Sequence, residues 1–207
     1  MEFIDLHVHS VVSSGVDTPS RLAYHADKLG IKIGLCDGQD LAKRGGIALG
    51  AEISAGNKGS FKDSIKALRG FDYLVVRGGS DMANRLAVSD SRIDILAHPE
   101  LGRRDSGLDS FIARKAKENS VAVEVNLGAL ITSKRGQRVR LLKNIKKNLM
   151  LSRKYGFELI ACTGAKSRYD LREADCVFEL LKLVGAEEEE AMKAMVETPK
   201  KILEGSL

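Results

Sequence analysis

Histidines 7 and 9 stand one residue apart in Asp5-Leu6-His7-Val8-His9-Ser10, directly behind the first apolar run of the chain. Two imidazoles alternating at a strand end can face one cation. Further histidine and carboxylate residues follow other apolar runs: Asp37, Glu52 in Gly50-Ala51-Glu52-Ile53, His98 in Asp94-Ile95-Leu96-Ala97-His98, and Glu124 with Asn126 in Val121–Asn126. Three of the four histidines sit at such ends, and His25 lies in a helical pattern as a surface or packing residue. Imidazole with carboxylate suits zinc, manganese or iron, and such ions activate water against phosphate esters. Taken singly, each residue reads as a hydrogen-bonded polar cap. Taken together, His7, His9, Glu52 and His98 read as a metal site or its remnant, with room for one zinc or manganese ion.

The elements that must position these residues alternate. Short apolar runs are expected as strands over Phe3–Leu6, Lys32–Cys36, Ile47–Ile53, Tyr73–Val76, Ile93–Ala97, Val121–Val125 and Glu158–Cys162. They are continuously apolar, as buried parallel strands are. Helical patterns lie between them: Ser20–Leu29, Phe61–Leu68 behind a Ser60 cap, Ser80–Val88, Leu108–Lys117, Val139–Lys154, Cys176–Val184 and Glu188–Met195. Seven strands with intervening helices predict one α/β domain over 1–207, a distorted TIM-like (β/α) barrel of about seven parallel strands. An open doubly wound sheet is the alternative, weakened by the lack of a glycine-rich phosphate loop after the first strand. In a barrel, the polar residues at strand ends converge on one mouth.

The chain has 207 residues, 43% hydrophobic and 29% charged, with a net charge of +5 and a pI near 9.1. That balance belongs to a globular protein and fits a polyanionic partner. Cys36, Cys162 and Cys176 show no zinc spacing and are expected as buried free thiols. The N-terminus has no leader pattern and no run reaches membrane-spanning length, so a cytoplasmic protein without a membrane partner is expected.

Charge is also concentrated. Lys134, Arg135, Arg138, Arg140, Lys143, Lys146, Lys147, Arg153 and Lys154 follow one another with no acid between them. An ordinary surface helix mixes signs, so this one predicts a polyanion close by. Arg103, Arg104, Lys166, Arg168 and Arg172 add charge around the mouth. Such groups bind RNA through phosphates and shape. With no Trp and 5% aromatics, a base-stacking platform is not expected.

The strand-end motifs, in order and spacing, resemble the polymerase-and-histidinol-phosphatase superfamily of metal phosphoesterases, distorted seven-stranded barrels holding up to three metals. Two of the superfamily's motifs are altered here. Thr-Asp-His becomes Cys36-Asp37-Gly38, and Ser-Asp-Ala-His becomes Thr163-Gly164-Ala165-Lys166. A lysine in place of a ligand repels a dication, so the full centre reads as broken. The whole chain is more specifically similar to the archaeal ribonuclease P protein component 3 family, the thirty-kilodalton subunit and a branch of that superfamily. The resemblance rests on Thr163-Gly164-Ala165, Arg172, Gly185, the Pro199–Leu203 ending and the basic Arg103-Arg104-Asp105 loop. It implies a subunit of an endoribonuclease that removes the 5′ leader of precursor tRNA. It further implies that the ribonuclease P RNA and its Mg2+ ions perform the cleavage. The implied partners are that RNA, a small activating protein, further protein subunits and the precursor tRNA. The isolated chain would then be inactive, with no catalytic residue of its own. The RNA-binding set would be Arg103, Arg104, Lys134, Arg135, Arg138, Arg140, Lys143, Lys166, Arg168 and Arg172. The competing reading is a standalone metal-dependent phosphoesterase built on His7, His9, Glu52 and His98.

Overall fold

A computed structural model describes residues 1–38 and 47–207. Seven parallel strands form one sheet in the order β1-β2-β3-β4-β5-β6-β7. They are β1 Ile4–Val8, β2 Lys32–Leu35, β3 Ala48–Ser54, β4 Tyr73–Arg77, β5 Ile95–Ala97, β6 Ala122–Asn126 and β7 Leu159–Cys162. Each expected strand is present, shifted by a residue or two. A parallel bridge from Val8 to Ala165 and the His9 N–H to Ala165 carbonyl bond at 2.8 Å bring the two ends of the sheet together. The result is a nearly closed barrel with helices between its strands, as the alternation predicts.

The lumen is filled, not hollow. Ile4, Leu6, Tyr73, Val75, Ile95, Ala122, Ile160 and Cys162 make an inner apolar cluster, joined by Ile202 from the C-terminal helix. Tyr73 dictates glycine on the two neighbouring strands. A Cβ on Gly34 would come within 2.4 Å of its hydroxyl, and one on Gly50 within 2.3 Å of its ring. The larger cluster lies between the sheet and the helices, with Phe3, Leu22, Ile65, Val88, Ile112, Ile145 and Val177 among its members.

The helices are α1 Pro19–Lys28, α2 Lys58–Ala67, α3 Asp81–Val88, α4 Ser110–Glu118, α5 Leu127–Thr132, α6 Arg135–Tyr155, α7 Ala174–Leu183, α8 Glu188–Met192 and α9 Thr198–Glu204. The first five start where a side chain satisfies a free N–H group. Thr18, Ser80 and Asp109 cap α1, α3 and α4. The α2 start differs from expectation. Asn57 is its cap and Ser60 reciprocates from the third helical position, a capping box that begins the helix three residues early. The short α5 was not expected; Asn126 caps it. Helix α6 begins four residues before Val139 and ends at Gly156, whose φ of 76° suits a left-handed stop. A π-helical turn over Lys193–Glu197 joins α8 to α9, where one continuous helix to Met195 was expected. Cys36 and Cys162 are buried as expected, but Cys176 is exposed, because it sits on the outer face of α7. Among the described residues no helix is long and apolar enough to cross a membrane.

Candidate functional site

The C-terminal ends of the strands deliver the polar residues to one mouth. At its centre lies Glu124, fully buried on β6. Its Oε1 accepts from His7 Nδ1 at 2.7 Å and from Asn126 Nδ2 at 3.0 Å. Its Oε2 accepts from the His98 backbone N–H at 2.9 Å. One carboxylate thereby ties β1, β6 and the turn after β5. That turn is conformationally unusual: His98 has a φ of 47°, a conformation non-glycine residues adopt mainly where surrounding contacts enforce it.

A hydrogen-bonded line runs outward from His7. His7 Nε2 is 3.1 Å from His9 Nε2, His9 Nδ1 is 3.2 Å from Ser13 Oγ, and Ser13 Oγ donates to Asp37 Oδ1 at 2.6 Å. Asp37 also accepts from the N–H and hydroxyl of Ser10. Protonation follows from the charges. Burial alone would depress His7, but the Glu124 and Glu52 carboxylates outweigh it and lift it to about 10. Burial and then the adjoining positive His7 drop His9 to about 4. Burial also lowers His98. Against burial, the facing imidazoles of His98 and His7 hold Glu124 well below the usual carboxylate range. Without a metal, His7 is therefore an imidazolium that donates to Glu124 and to a neutral His9.

The four residues expected to share one ion fall into two sets around His7. His7, His9 and Glu52 converge, and so do His7, His98 and Glu124, each with all ligand atoms within 4.8 Å of one another. The first set suits a cation better. It uses His7 Nε2 and leaves Nδ1 donating to Glu124, the usual outer-sphere arrangement of a metal-bound imidazole. The two Nε2 atoms lie 3.1 Å apart, close enough for both to serve one ion. Glu52 Oε1 is buried with no hydrogen-bond partner and lies 3.7 Å from His7 Nε2.

Around this cluster the surface is basic. Two adjoining cavities open at the mouth and share His98, Leu101 and Ala129. One, of about 340 Å³, lies between the loop after β5 and α6, with Glu100, Arg103, Gln137, Arg140 and Asn144 on its walls. The other, of about 290 Å³, is bounded by His9, Arg77, Thr163, Lys166 and Arg172. Burial raises Glu100 to about 7, which reduces the negative charge of the first cavity. The cavities place Arg140 of the basic helix beside the mouth. Helix α6 buries Leu141, Ile145 and Leu149. Its Asn144 donates to the Asp105 carbonyl at 2.8 Å, fastening the Arg103–Asp105 loop beneath it.

The expected RNA-binding residues differ in availability. All nine Lys/Arg of the 134–154 run are exposed. Among the described residues only Arg153 has a carboxylate partner, Glu190 at 2.6 Å. Arg138 donates to the Ile131 carbonyl at 2.8 Å. Arg135 has a φ of 48°. Arg104 and Lys166 are exposed and unpaired among the described residues. Arg103 is clasped by Asp81 and Asp105 at 2.9 and 2.7 Å, which spends most of its charge locally. Arg168 is anchored on Asp17. Arg172 donates one amino group to the Tyr169 and Leu171 carbonyls.

Three residues were missed by sequence reasoning. Glu124 was noticed only as a strand-end polar residue, although its fully apolar strand already signalled a buried charge needing a partner. Arg77, at the end of β4, carried the same strand-end signal. Tyr169 is one exposed ring that the aromatic count did not single out: it is 73% exposed and lies under the Arg168 guanidinium.

A sequence model of the family described as RNase P subunit p30 matches residues 2–206. The chain is 36% identical to the ribonuclease P protein component 3 of Methanosarcina mazei over 221 aligned positions, covering 98% of this chain and 89% of that protein. It is 41% identical to the Methanosarcina acetivorans protein of the same name, over 70% of this chain and 58% of that one. Among solved structures it resembles a chain of archaeal ribonuclease P with mature tRNA, at a TM-score of 0.82 and 24% identity, covering 98% of this chain and 90% of that one.

Proposed function

The chain belongs to the RNase P subunit p30 family, and on that premise we propose that it serves as a protein subunit of ribonuclease P in tRNA 5′ maturation, binding and stabilising the RNA that cleaves. One observation carries the reading. The exposed α6 cations, almost all without a carboxylate partner among the described residues, run up to the mouth at Arg140. Packing like charges on one helix face costs stability unless counter-charge arrives. RNA phosphates supply it, and each neutralised phosphate releases a counterion. The partners are the ribonuclease P RNA, a small activating protein, further protein subunits and precursor tRNA. RNA and its Mg2+ perform the cleavage, and the isolated chain is inactive. Reconstitution tests this: adding the chain to the RNA and the other subunits lowers the Mg2+ needed for precursor tRNA cleavage. Unchanged turnover at low Mg2+ on omission refutes it.

The orphaned Glu52 Oε1 favours a second reading of the mouth. His7 Nε2, His9 Nε2 and Glu52 Oε1 hold one zinc or manganese ion, a remnant of the metal phosphoesterase barrels the motifs resemble. The ion and the His7 proton exclude each other, since both need Nε2. Lys166, whose charge reaches His9, stands where those enzymes have a ligand. The site is accordingly structural, not hydrolytic. Elemental analysis of purified protein tests the ion; a generic phosphodiester hydrolysed with loss on His9→Ala would instead make the chain an enzyme.

A further inference from the structure

The loop after β7 fixes an aromatic ring in the open. Tyr169 is 73% exposed. The Arg168 guanidinium covers one face, 4.5 Å from the ring centroid, and its Nη2 donates to the Tyr169 hydroxyl at 2.7 Å. Arg168 is itself held from below. Its N–H donates to Asp17 Oδ2 at 2.8 Å and its Nη1 lies 3.2 Å from Oδ1, and Asp17 is only 5% exposed. Asp170 Oδ2 locks the turn by accepting from the N–H groups of Lys166 and Ser167 and from the Ser167 hydroxyl. Gly15 lets the loop after β1 close over this turn; a Cβ there would lie 2.9 Å from the Lys166 carbonyl. The ring is thus preorganised, with its second face left to solvent.

The same loop borders the cavity of about 290 Å³ through Lys166, Asp170 and Arg172, with Arg77 also on its wall. Lys166 has no carboxylate partner among the described residues. Arg172 commits only one amino group, to the backbone. The neighbouring acids Asp17 and Asp170 are spent on holding the loop. Arg77 lies 3.9 Å from Glu52, so the cations left without a carboxylate partner among the described residues are Lys166 and Arg172; a fixed aromatic face on the loop that carries them matches a base joined to a phosphate.

We propose that this corner of the mouth seats one unpaired nucleotide of the bound RNA, its phosphate against Lys166 and Arg172 and its base on the open face of Tyr169. The proposal rests on the reading of the chain as an RNA-binding subunit. It selects unpaired RNA, because a duplex hides its base faces from a side chain. The competing occupant is a protein partner, which would also use the exposed Val11, Val12 and Val16 nearby.

The full chain is titrated with an unstructured RNA tetranucleotide carrying 2-aminopurine, with the same tetranucleotide made abasic at that position, and with a blunt-ended RNA hairpin whose loop is a non-nucleotide linker, so that every base is paired. Tyr169→Leu weakens the 2-aminopurine tetranucleotide by about fivefold to a hundredfold, the worth of one stacked base. Tyr169→Phe, which keeps the ring, restores it. The abasic tetranucleotide and the hairpin bind Tyr169→Leu as they bind the parent. Equal binding of the 2-aminopurine tetranucleotide by Tyr169→Leu and the parent overturns the proposal. So does a Tyr169→Leu protein that fails only to assemble with the other protein subunits, which makes the surface a protein contact. An Arg135→Ala/Arg138→Ala/Arg140→Ala variant keeps the two ideas apart. If it loses hairpin affinity while Tyr169→Leu is silent, the RNA-binding reading stands and the nucleotide seat falls.

Discussion

Replacing Glu124 by glutamine removes one charge from the centre of the barrel mouth and almost no volume. Glu124 is surrounded by donors: His7 Nδ1, Asn126 Nδ2 and the His98 N–H. A carboxylate accepts from all three, but a glutamine must aim its NH2 at one of them. The variant also strands the His7 imidazolium beside only the more distant Glu52, at 3.7 Å. Breaking a buried ion pair from one side costs about 3–5 kcal/mol. The sign of the pH dependence follows from His7, whose folded value is raised to about 10 from an ordinary 6.5. Stability from a raised histidine is fully present below the unfolded value and is lost as pH rises through the folded one. The deficit of Glu124→Gln relative to the parent is therefore largest at pH 6 and narrows between pH 6.5 and 10. At high pH His7 is neutral in both proteins, and its Nδ1 can accept from the new amide. What remains is the loss of charge-assisted bonds, about 1.5–3 kcal/mol. Urea unfolding of chelator-treated protein, followed by circular dichroism at pH 6, 8 and 10, reads the difference directly. A deficit below about 1 kcal/mol at pH 6, or one that is constant with pH, refutes the assignment of a buried imidazolium–carboxylate pair.

Arg135→Ala/Arg138→Ala/Arg140→Ala weakens RNA binding and lowers the slope of log affinity against log salt by about 2–3, at nearly one unit per lost phosphate contact; an unchanged slope in an anisotropy titration would turn α6 away from the RNA. Gly34→Ala drives a methyl group into the Tyr73 hydroxyl and destabilises by about 1–3 kcal/mol; a double-mutant cycle with Tyr73→Phe shows rescue, and strict additivity would mean the contact is not the cause. Zinc or manganese added to chelator-treated protein at pH 8 releases a proton and binds more tightly as pH rises, since the ion displaces the His7 Nε2 proton. Calorimetry in buffers of different ionisation enthalpy detects the release, and His9→Ala abolishes the binding.

The strands were legible because each one is buried on both sides, which writes itself as an apolar run closed by a polar residue. Helix α5 was not, since Leu127–Thr132 has no charged face to set a period; its one signal was Asn126 in front of it, which we read only as a polar strand end. Ser60 misled for a related reason. It does bond at the start of α2, but as the third helical residue reaching back to Asn57. At the site, the sequence places His7, His9, Glu52 and His98 at one mouth but cannot say which pairs meet. That is set by backbone register, and β1 carries an irregularity between Asp5 and Val8, a backbone adjustment with no residue-type signature. Tyr169 was lost to averaging: a count of aromatics says how many rings there are, not that one of them is fastened in the open.

The histidine cluster and the basic surface are joined through shared hydrogen bonds. Buried charges seldom improve stability over apolar packing, so the cluster needs another reason to persist. Its bonds supply one, because the loops after β5 and β7, which carry mouth cations, are fastened through buried carboxylates. Glu124 holds the turn at His98 that leads to Arg103 and Arg104. Asp37 holds Ser10 and Ser13, and Asp17 at the end of that same loop holds Arg168. Asp5 accepts from the Thr163 hydroxyl and N–H at the entry to the Lys166 loop. RNA shape is read by cations at fixed spacing, and long basic side chains on loose loops would lose that spacing to entropy. Residues arranged like the ligands of a hydrolytic centre can thus do their work as struts. On this account Glu124→Gln should impair RNA binding more than the loss of one distant negative charge could improve it, at a pH and temperature where the variant remains folded.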